Sequence, residues 1–400
     1  MSIPQGYKQT ELGIIPEDWE VVNLSNLAKV NGRIGFRGYT VADLVDAGQG
    51  AYAIGGKHIA NMSLNLSDAE YISWEKYYES PEIMVKKGDI VLAQRGTLGK
   101  SAIIANDIGP ATINPSLVLI NKIKCDNGYL AYWLQSEKII GYICSINSQT
   151  SIPMITQNQI EHIPIAIPYE QNEQRAIAEA LSDVDGLIVA LDKKIAKKRL
   201  IKQGAMQQLL TGKTRLPGFS DEWVENKLGK ISHIKTGSRN GDQAVENGKY
   251  PFFVRSQKVY AIDTYSFDGE AILVPGEGGI GNIFHYINGK FDFHQRVYKI
   301  SDFANEVCGK FIYFYMSRYF GEYALSLTVK ATVDSLRLPT FEEFVIHMPS
   351  NIKEQQAIAT ILSDMDKEIA DLEAQRGKYR LLKSGMMQKL LTGQIRLKTK

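Results

Sequence analysis

The chain has 400 residues, of which 44% are hydrophobic and 22% are charged, and its formal net charge is +2 at pH 7. This length exceeds what one hydrophobic core usually holds, so two or three domains are expected, and the composition excludes a disordered or fibrous chain. A net charge this small neither requires nor excludes nucleic acid, because binding depends on where the cations cluster.

The first residues, MSIPQGYKQTELG, lack the basic stretch and apolar core of a secretory signal, and no run of about eighteen apolar residues predicts a membrane span. We therefore expect a cytoplasmic protein without a membrane partner. The cysteines lack CxxC spacing and the histidines do not pair three or four residues apart, so neither a disulfide framework nor a metal site is expected.

The first half contains short strand-like runs, AYAIGGKHI, GDIVLAQ, SAIIAN and ATINPSLVLINK, followed by one apolar-aromatic helix, GYLAYWLQSEKIIGYI. The second half has a similar mixture, with GEAILV in the place of GDIVLA. This pattern predicts an α+β fold in each half, with an order of strands that the sequence leaves open.

No catalytic motif is complete. QRGTLGKS ends like a phosphate-binding loop, but Gln94 stands where that motif requires its first glycine. INPSLV resembles an amino-methyltransferase motif, yet Ser116 and Leu117 depart from it. Because no nucleophile and base can be nominated, we predict a chain without catalytic residues.

A long segment is repeated. Residues 173–216 align without gaps with residues 354–397, and roughly 24 of 44 positions are identical, against about three by chance. Each copy carries apolar residues at heptad spacing and ends in LLTG, where Gly212 and Gly393 suit a left-handed helix cap. We predict two helices of about 36 residues, roughly 54 Å long.

These helices are predicted to pair with each other in antiparallel orientation, as a coiled coil with a pseudo-twofold axis between the halves. The central LLTGKTRLPGF leads directly into SDEW, whereas the chain begins just before the similar PEDW and ends just after LLTGQIRL. The termini are therefore expected to lie close together in a circular arrangement. The proposed helix-pairing residues are Ile177, Leu181, Val184, Ile188, Leu191, Ile358, Leu362, Met365, Ile369 and Leu372.

Polar, glycine-rich loops interrupt both halves and differ between them, while the helices stay alike. Arg, Lys, Asn and Gln are the side chains that read base edges in the major groove, and the same loops supply phosphate contacts. The candidate DNA contacts are Arg33, Arg37, Lys57, His58, Arg95, Lys100, Gln149, Thr150, Lys235, Arg239, Asn240, Arg255, Gln257, Lys258, Gln295, Arg296, Lys330 and Thr332. The basic run DKKIAKKRLIK could also contact phosphate, or form a solvated helix face.

The openings EQRAIA and EQQAIA, the LLTG closures and the circular layout resemble the specificity subunits of type I restriction-modification enzymes. The resemblance implies target-recognition domains at 1–167 and 213–348, and spacer helices at 168–212 and 349–400. It implies a double-stranded DNA partner with a bipartite site, two modification (methyltransferase) subunits and separate restriction or motor subunits. S-adenosylmethionine, ATP and magnesium would then act in those partner subunits, and this chain would hold no cofactor.

Two other functions compete with this interpretation. One is a coiled-coil adaptor whose two domains bind proteins or glycans, and the other is an enzyme that uses the RGTLGK loop for nucleotide chemistry. Sequence-selective, salt-dependent DNA binding distinguishes the first interpretation from the adaptor.

Overall fold

The computed structural model describes residues 3–146, 153–279, 281–327 and 335–397. The chain divides into two compact units. Unit 1 consists of residues 1–190 and 375–400, and unit 2 of residues 191–374. In the described ranges, every helix is too short or too polar to span a membrane.

Unit 1 is a mixed α/β structure. Its strands are β1 (Tyr7–Thr10), β2 (Gly13–Pro16), β3 (Trp19–Asn23), β4 (Lys29–Gly32), β5 (Leu44–Val45), β6 (Gly50–Ile54), β7 (Ile59–Ala60), β8 (Ser63–Leu64), β9 (Glu70–Ser73), β10 (Ile90–Ala93), β11 (Ser101–Ile103), β12 (Ala111–Ile113), β13 (Leu117–Asn121) and β14 (Pro164–Pro168). Its helices are α1 (Leu24–Leu27), α2 (Trp74–Tyr78), α3 (Asn127–Leu134), α4 (Glu137–Ser145), α5 (Gln157–Glu161), the first part of α6 (Gln171–Leu209) and the last part of α10 (Ile352–Leu390).

Two four-stranded sheets form the centre of unit 1, in the orders β11-β10-β13-β4 and β12-β6-β9-β5. Strands β10 and β13 are almost completely buried, which explains their continuous apolar sequences. Strand β12 joins β6 in parallel, a long-range pairing that local sequence patterns do not reveal.

The predicted single aromatic helix of the first half is wrong, because the structure breaks it into α3 and α4. Ser136 starts the second helix, since its hydroxyl accepts a hydrogen bond from the Ile139 amide at 3.4 Å. A serine in this role supplies an acceptor for an otherwise unpaired helical N–H. The break leaves the aromatic side chains Tyr129 and Trp133 buried in the core of unit 1.

Unit 2 contains one larger sheet. Its strands are β15 (Trp223–Lys227), β16 (His233–Thr236), β17 (Tyr250–Phe253), β18 (Val259–Ile262), β19 (Phe267–Pro275), β20 (His285–Phe293), β21 (Val297–Ser301) and β22 (Val345–Pro349). Its helices are the last part of α6, α7 (Leu228–Ile231), α8 (Gly309–Leu327), α9 (Leu338–Glu342) and the first part of α10 (Ile352–Leu390). Six strands form the sheet in the order β16-β21-β19-β20-β17-β18.

A two-stranded antiparallel ribbon precedes the long helix in each unit. In unit 1, β3 pairs with β14 and places Trp19 opposite Pro168. In unit 2, β15 pairs with β22 and places Trp223 opposite Pro349. The two halves are therefore similar around Trp19 and Trp223 and again around Pro168 and Pro349 because these segments form the two strands of the ribbon.

The two long helices, α6 and α10, each contain 39 residues, about 58 Å of helix. Both end within the LLTG phrase, as predicted, and both following glycines have a φ of 69°. A side chain at Gly393 would also collide with Pro16, because its Cβ would lie 2.4 Å from that ring. Glycine is thus required there by conformation and by packing.

The predicted antiparallel pairing of α6 and α10 is confirmed within each unit. In unit 1, Lys383 of α10 lies 2.7 Å from Asp185 of α6. In unit 2, Lys202 of α6 forms an ion pair with Asp366 of α10. The repeat aligns Asp185 with Asp366 and Lys202 with Lys383. The two ion pairs therefore use equivalent residues, with the aspartate on α6 in unit 1 and on α10 in unit 2.

The proposed helix-pairing residues are shared between helix packing and the globular cores. Ile177 and Leu181 belong to the buried cluster of unit 1, which includes Trp19 and Leu390. Ile358 and Leu362, with Met365 at the edge, belong to the corresponding cluster of unit 2. Ile369 and Leu372 form a small cluster with Ile195 and Leu191, and Val184 and Ile188 are also buried.

A buried carboxylate joins the ends of the chain in unit 1. Arg396 binds Glu173 through two nitrogen–oxygen contacts of 2.5 and 2.8 Å, and binds Asp18 at 2.7 and 2.9 Å. These hydrogen bonds lower the pKa of Asp18 and raise the pKa of Arg396. The Tyr7 hydroxyl donates to the Gly393 carbonyl at 3.0 Å. The expected proximity of the two ends is confirmed for the described segments that contain Tyr7, Asp18, Gly393 and Arg396.

The same arrangement occurs in unit 2 without a chain end. Arg215 binds the fully buried Glu354 through two contacts of 2.7 Å and donates to the Asp221 carbonyl at 2.9 Å. We call Glu173–Arg396 and Glu354–Arg215 the closing ion pairs. Each connects the start of one long helix to the segment that follows the other.

The glutamine after each of these glutamates is also buried, and both the oxygen and the nitrogen of its side-chain amide form hydrogen bonds. Gln174 accepts the Asp126 amide at 2.9 Å and donates to the Pro168 carbonyl at 2.8 Å. Gln355 makes the equivalent contacts with the Cys308 amide and the Pro349 carbonyl, both at 2.8 Å. The repeated Glu-Gln dipeptide therefore fixes each helix start to its own globular core.

We expect Arg396→Met to lower the free energy of unfolding by about 3 kcal/mol, because it leaves the buried Glu173 carboxylate without its cation. The double variant with Glu173→Met should lose less stability than Arg396→Met alone, since the buried charge is then removed as well. Urea unfolding measures both, with Lys389→Met, at an exposed position of α10, as the control. Equal stability of Arg396→Met and the control would contradict this role.

Candidate nucleic-acid interface

Four candidate DNA contacts converge on one cavity in unit 1. The cavity has a volume of about 450 Å³, and Lys57, His58, Arg95 and Lys100 line it. Lys57 follows the glycines after β6, and the other two cations lie on the turn between β10 and β11. Lys57 is partly neutralised by Asp68 and Glu70 at 3.8 and 4.0 Å. Even so, the side chains that line the cavity supply many hydrogen-bond donors and positive charge.

His58 contributes a neutral donor of defined orientation to this cavity. Its Nδ1 accepts the Gly55 amide at 2.9 Å, so the proton of the neutral ring resides on Nε2. Burial, followed by the charge of Lys57, lowers the pKa of His58. The Nε2 atom is buried and makes no hydrogen bond with the described residues, and the nearest Asp68 carboxylate oxygen lies 3.8 Å away. The His58 side chain is 1% exposed, so this N–H is buried within the lining of the cavity.

The wall of the cavity depends on a glycine and on the INPSLV segment. Asn114 Oδ1 accepts the Ser116 amide at 3.0 Å and the Ser116 hydroxyl at 2.5 Å, which directs the amide nitrogen of Asn114 toward Gly55. A Cβ at Gly55 would lie 2.6 Å from that nitrogen. The segment that superficially resembles a methyltransferase motif thus shapes this cavity, a role that sequence reasoning missed.

Arg33, one of the candidate DNA contacts, has a structural use in unit 1. Arg33 is 8% exposed, and its guanidinium donates to the carbonyls of Ile113 and Arg37 and to the Thr112 hydroxyl. A buried guanidinium with these partners connects β12 to the loop that follows β4. Arg37 is more accessible and lies 3.6 Å from Glu82.

A second group of candidates meets in unit 2 around a buried carboxylate. Arg239 binds Asp292, which is fully buried, at 2.9 Å and donates to Thr264 at 3.1 Å. Gln295 donates to the Asn240 side chain at 2.8 Å, and its amide donates to the Arg239 carbonyl at 2.9 Å. Asp292 thereby anchors the loop that carries Arg239 and Asn240, and Gln295 joins that loop from the turn between β20 and β21.

The remaining described candidates of unit 2 lie on exposed positions. Arg255 and Arg296 each form an ion pair with Glu277 at 3.3 Å, a carboxylate that sequence reasoning missed. Lys258 lies 4.9 Å from the centre of the Tyr260 ring, and Lys235 and Gln257 are exposed. Four candidates, Gln149, Thr150, Lys330 and Thr332, lie outside the described residues.

The basic run on α6 has a structural use within unit 2. Lys198 lies 2.7 Å from Glu368, and Arg199 and Lys202 form ion pairs with Glu373 and Asp366 of α10. Half of the six cations in that run therefore stabilise helix pairing. The sequence predicted either a phosphate contact or a solvated helix face for this run, and it did not predict ion pairs between the helices.

In the described ranges, no group of three or more His, Cys, Asp or Glu side chains could hold a metal ion. The polar clusters of the two units are instead built from cations, amides and glycine turns. The sequence profile of the type I restriction modification DNA specificity domain matches residues 16–199 and again residues 220–378. The chain belongs to this family.

Two relatives match along nearly the whole chain. The type I restriction enzyme MjaVIII specificity subunit of Methanocaldococcus jannaschii is 26% identical, over 96% of this chain and 94% of its own length. The putative type I restriction enzyme MjaX specificity subunit of the same organism is 25% identical, over 99% and 98%. The resemblance found in the sequence is confirmed.

A solved structure has the same fold. The type I restriction-modification system S subunit from M. genitalium superimposes with a TM-score of 0.66 over 100% of this chain and 99% of its own, at 15% identity. The predicted α+β domains with two long helices are thereby confirmed as a known architecture.

We expect Arg33→Lys to lower the free energy of unfolding by roughly 1–3 kcal/mol while leaving DNA affinity unchanged. Lysine keeps the positive charge but cannot reproduce the planar set of buried hydrogen bonds. Chemical denaturation and a DNA-binding titration measure the two effects, and Arg175→Lys, at an exposed position of α6, is the control. A stable Arg33→Lys variant with weakened DNA binding would restore Arg33 as a DNA contact.

Proposed function

We propose that this chain is the DNA-reading subunit of a type I restriction-modification complex, and that each unit reads one half of a bipartite site. The observation that carries the proposal is the double match of the family profile, one match in each half of the chain. The recognition loops differ between the halves while the closing ion pairs are the same. A duplicated scaffold with two different loop sets suits two different short DNA sequences.

The proposed division of labour assigns no chemistry to this chain. Modification subunits, two in number, would dock on the helices, and restriction or motor subunits would join that assembly. S-adenosylmethionine, ATP and magnesium would bind in those partners. The adaptor alternative is not favoured, because the family match names DNA specificity for both halves.

The proposed target-recognition domains are residues 1–167 and 213–348, and the proposed spacers are residues 168–212 and 349–400. In the first domain, we propose that Lys57, His58, Arg95 and Lys100 contact DNA at the 450 Å³ cavity. In the second, the proposed contacts are Lys235, Arg239, Asn240, Arg255, Gln257, Lys258, Gln295 and Arg296. Arg37 and the four candidates outside the described residues remain proposals on sequence grounds.

Selection from a randomised duplex pool tests this function most directly. The full chain, assembled with its modification subunits, should retain duplexes with two short defined sequences separated by a constant gap. Retention should weaken steeply with salt, because displaced counterions dominate the affinity of DNA-binding proteins. Retention of all sequences alike, or of none, would refute sequence reading and favour the adaptor.

We expect Arg95→Gln with Lys100→Gln to reduce the slope of log affinity against log salt by about 0.9 for each phosphate that the variant no longer neutralises. Titrations of the selected duplex at several salt concentrations provide the slope. Lys124→Gln is the matched control, because Lys124 is an exposed cation of unit 1 whose ammonium donates to the Asn26 carbonyl. An unchanged slope in the double variant would exclude phosphate contacts from these two side chains.

We also propose that the paired helices set the gap between the half-sites. Seven residues inserted after Ala190 in α6 and after Ala374 in α10 would add about 10 Å and keep the apolar faces in register. The selected gap should lengthen by about three base pairs at roughly 3.4 Å each. The same insertion in α6 alone is the control, because it shifts the helices against each other. An unchanged gap in the double insertion would refute this role.

A further inference from the structure

Two arginines and one glutamate form a cluster on three separate loops of unit 2. Arg255 follows β17, Glu277 follows β19, and Arg296 precedes β21. One carboxylate oxygen of Glu277 lies 3.3 Å from Arg255, and the other lies 3.3 Å from Arg296. We call these three residues the Arg-Glu-Arg cluster. The loops are distant in sequence, so only the fold brings them together.

The glutamate occupies a fixed position beside Arg296. The Gly276 amide donates to the Arg296 carbonyl at 2.8 Å, and the Gly276 carbonyl accepts the Leu336 amide at 2.7 Å. A Cβ at Gly276 would approach the Tyr298 ring to 3.0 Å, so glycine permits this close packing. The Arg296 amide donates to Nδ1 of the buried His294 at 2.9 Å. The backbone on both sides of the ion pair is therefore held by hydrogen bonds.

The cluster contributes little to the stability of the fold. The side chains of Arg255 and Arg296 are 51% and 61% exposed, and ion pairs at such exposure contribute about 0–1 kcal/mol. Burial, followed by the charges of Arg255 and Arg296, lowers the pKa of His294, which keeps this neighbour neutral. The cluster thus presents two accessible guanidinium groups and one counter-charge.

We propose that Glu277 is a specificity-determining positioning residue, which orients Arg255 and Arg296 toward base edges in the half-site that unit 2 reads. This inference rests on the proposed function. A guanidinium that forms two hydrogen bonds with O6 and N7 of guanine is the commonest specific contact in a major groove. Each arginine contacts Glu277 through one terminal nitrogen, which leaves its other N–H groups available for such a pair. Because Glu277 already restrains the arginine side chains, less conformational entropy is lost when they bind DNA.

Glu277→Gln tests this role because it keeps the shape of the side chain and removes its charge. The half-site of unit 2 should contain guanine at the positions read by the two arginines. The variant should lose roughly two- to tenfold of the preference for guanine for each arginine released. Selection and competition titrations with the complete complex measure that ratio, and the other half-site and the gap should stay unchanged.

Glu322→Gln is the control, because Glu322 is an exposed carboxylate of unit 2 that pairs with Arg318 at 3.5 Å. It removes the same charge from the same unit and should leave both half-sites unaltered. Arg255→Lys and Arg296→Lys should each lose preference at a single position, since lysine keeps the charge without the planar pair of donors.

Two outcomes would overturn the inference. One is an unchanged base preference in Glu277→Gln, and the other is an equal loss of affinity for all sequences, which would indicate phosphate contacts alone. If the unaltered complex selects no bipartite site, the proposed function itself is refuted before any variant is compared.

Discussion

The buried glutamate at the start of each long helix is the constraint on which the rest of the structure depends. A carboxylate in a protein core needs a cation and hydrogen bonds, because an unpaired buried charge is strongly destabilising. Glu173 obtains its cation from Arg396, near the end of the chain, and Glu354 obtains its cation from Arg215, between the two halves. The start of each long helix is therefore connected to the segment that follows the other helix.

This requirement explains why the two halves share their helices and differ in their loops. The repeated segments contain both partners of the closing ion pairs and of the pairs Asp185–Lys383 and Asp366–Lys202. Replacing one partner of such a pair leaves the other charge unpaired, so both must be kept together. The loops around the cavity of unit 1 and the Arg-Glu-Arg cluster of unit 2 carry no such reciprocal demand. Under the proposed function, these loops can therefore read different DNA sequences while the helices stay the same.

The long helices were predictable from the sequence because heptad spacing and cap glycines are local signals, and the repeat supplied their pairing. Sheet order was not predictable, since pairings such as β12 with β6 join distant segments. The buried position of Arg33 was not predictable, because composition does not distinguish a buried arginine from an exposed one. The ion pairs of Glu277 with Arg255 and Arg296 were not predictable, because they join three loops that are distant in sequence. The closing ion pairs could have been predicted, because the glutamate and the arginine that form them occur in both copies of the repeat.

The central claim is that each unit reads one half of the DNA site independently of the other. Replacing residues 222–348 with the equivalent segment of another member of the family, and then selecting duplexes with the assembled complex, tests it most directly. The account predicts that the half-site read by unit 2 changes, while the other half-site and the gap are retained. A change in both half-sites would contradict independent reading by the two units.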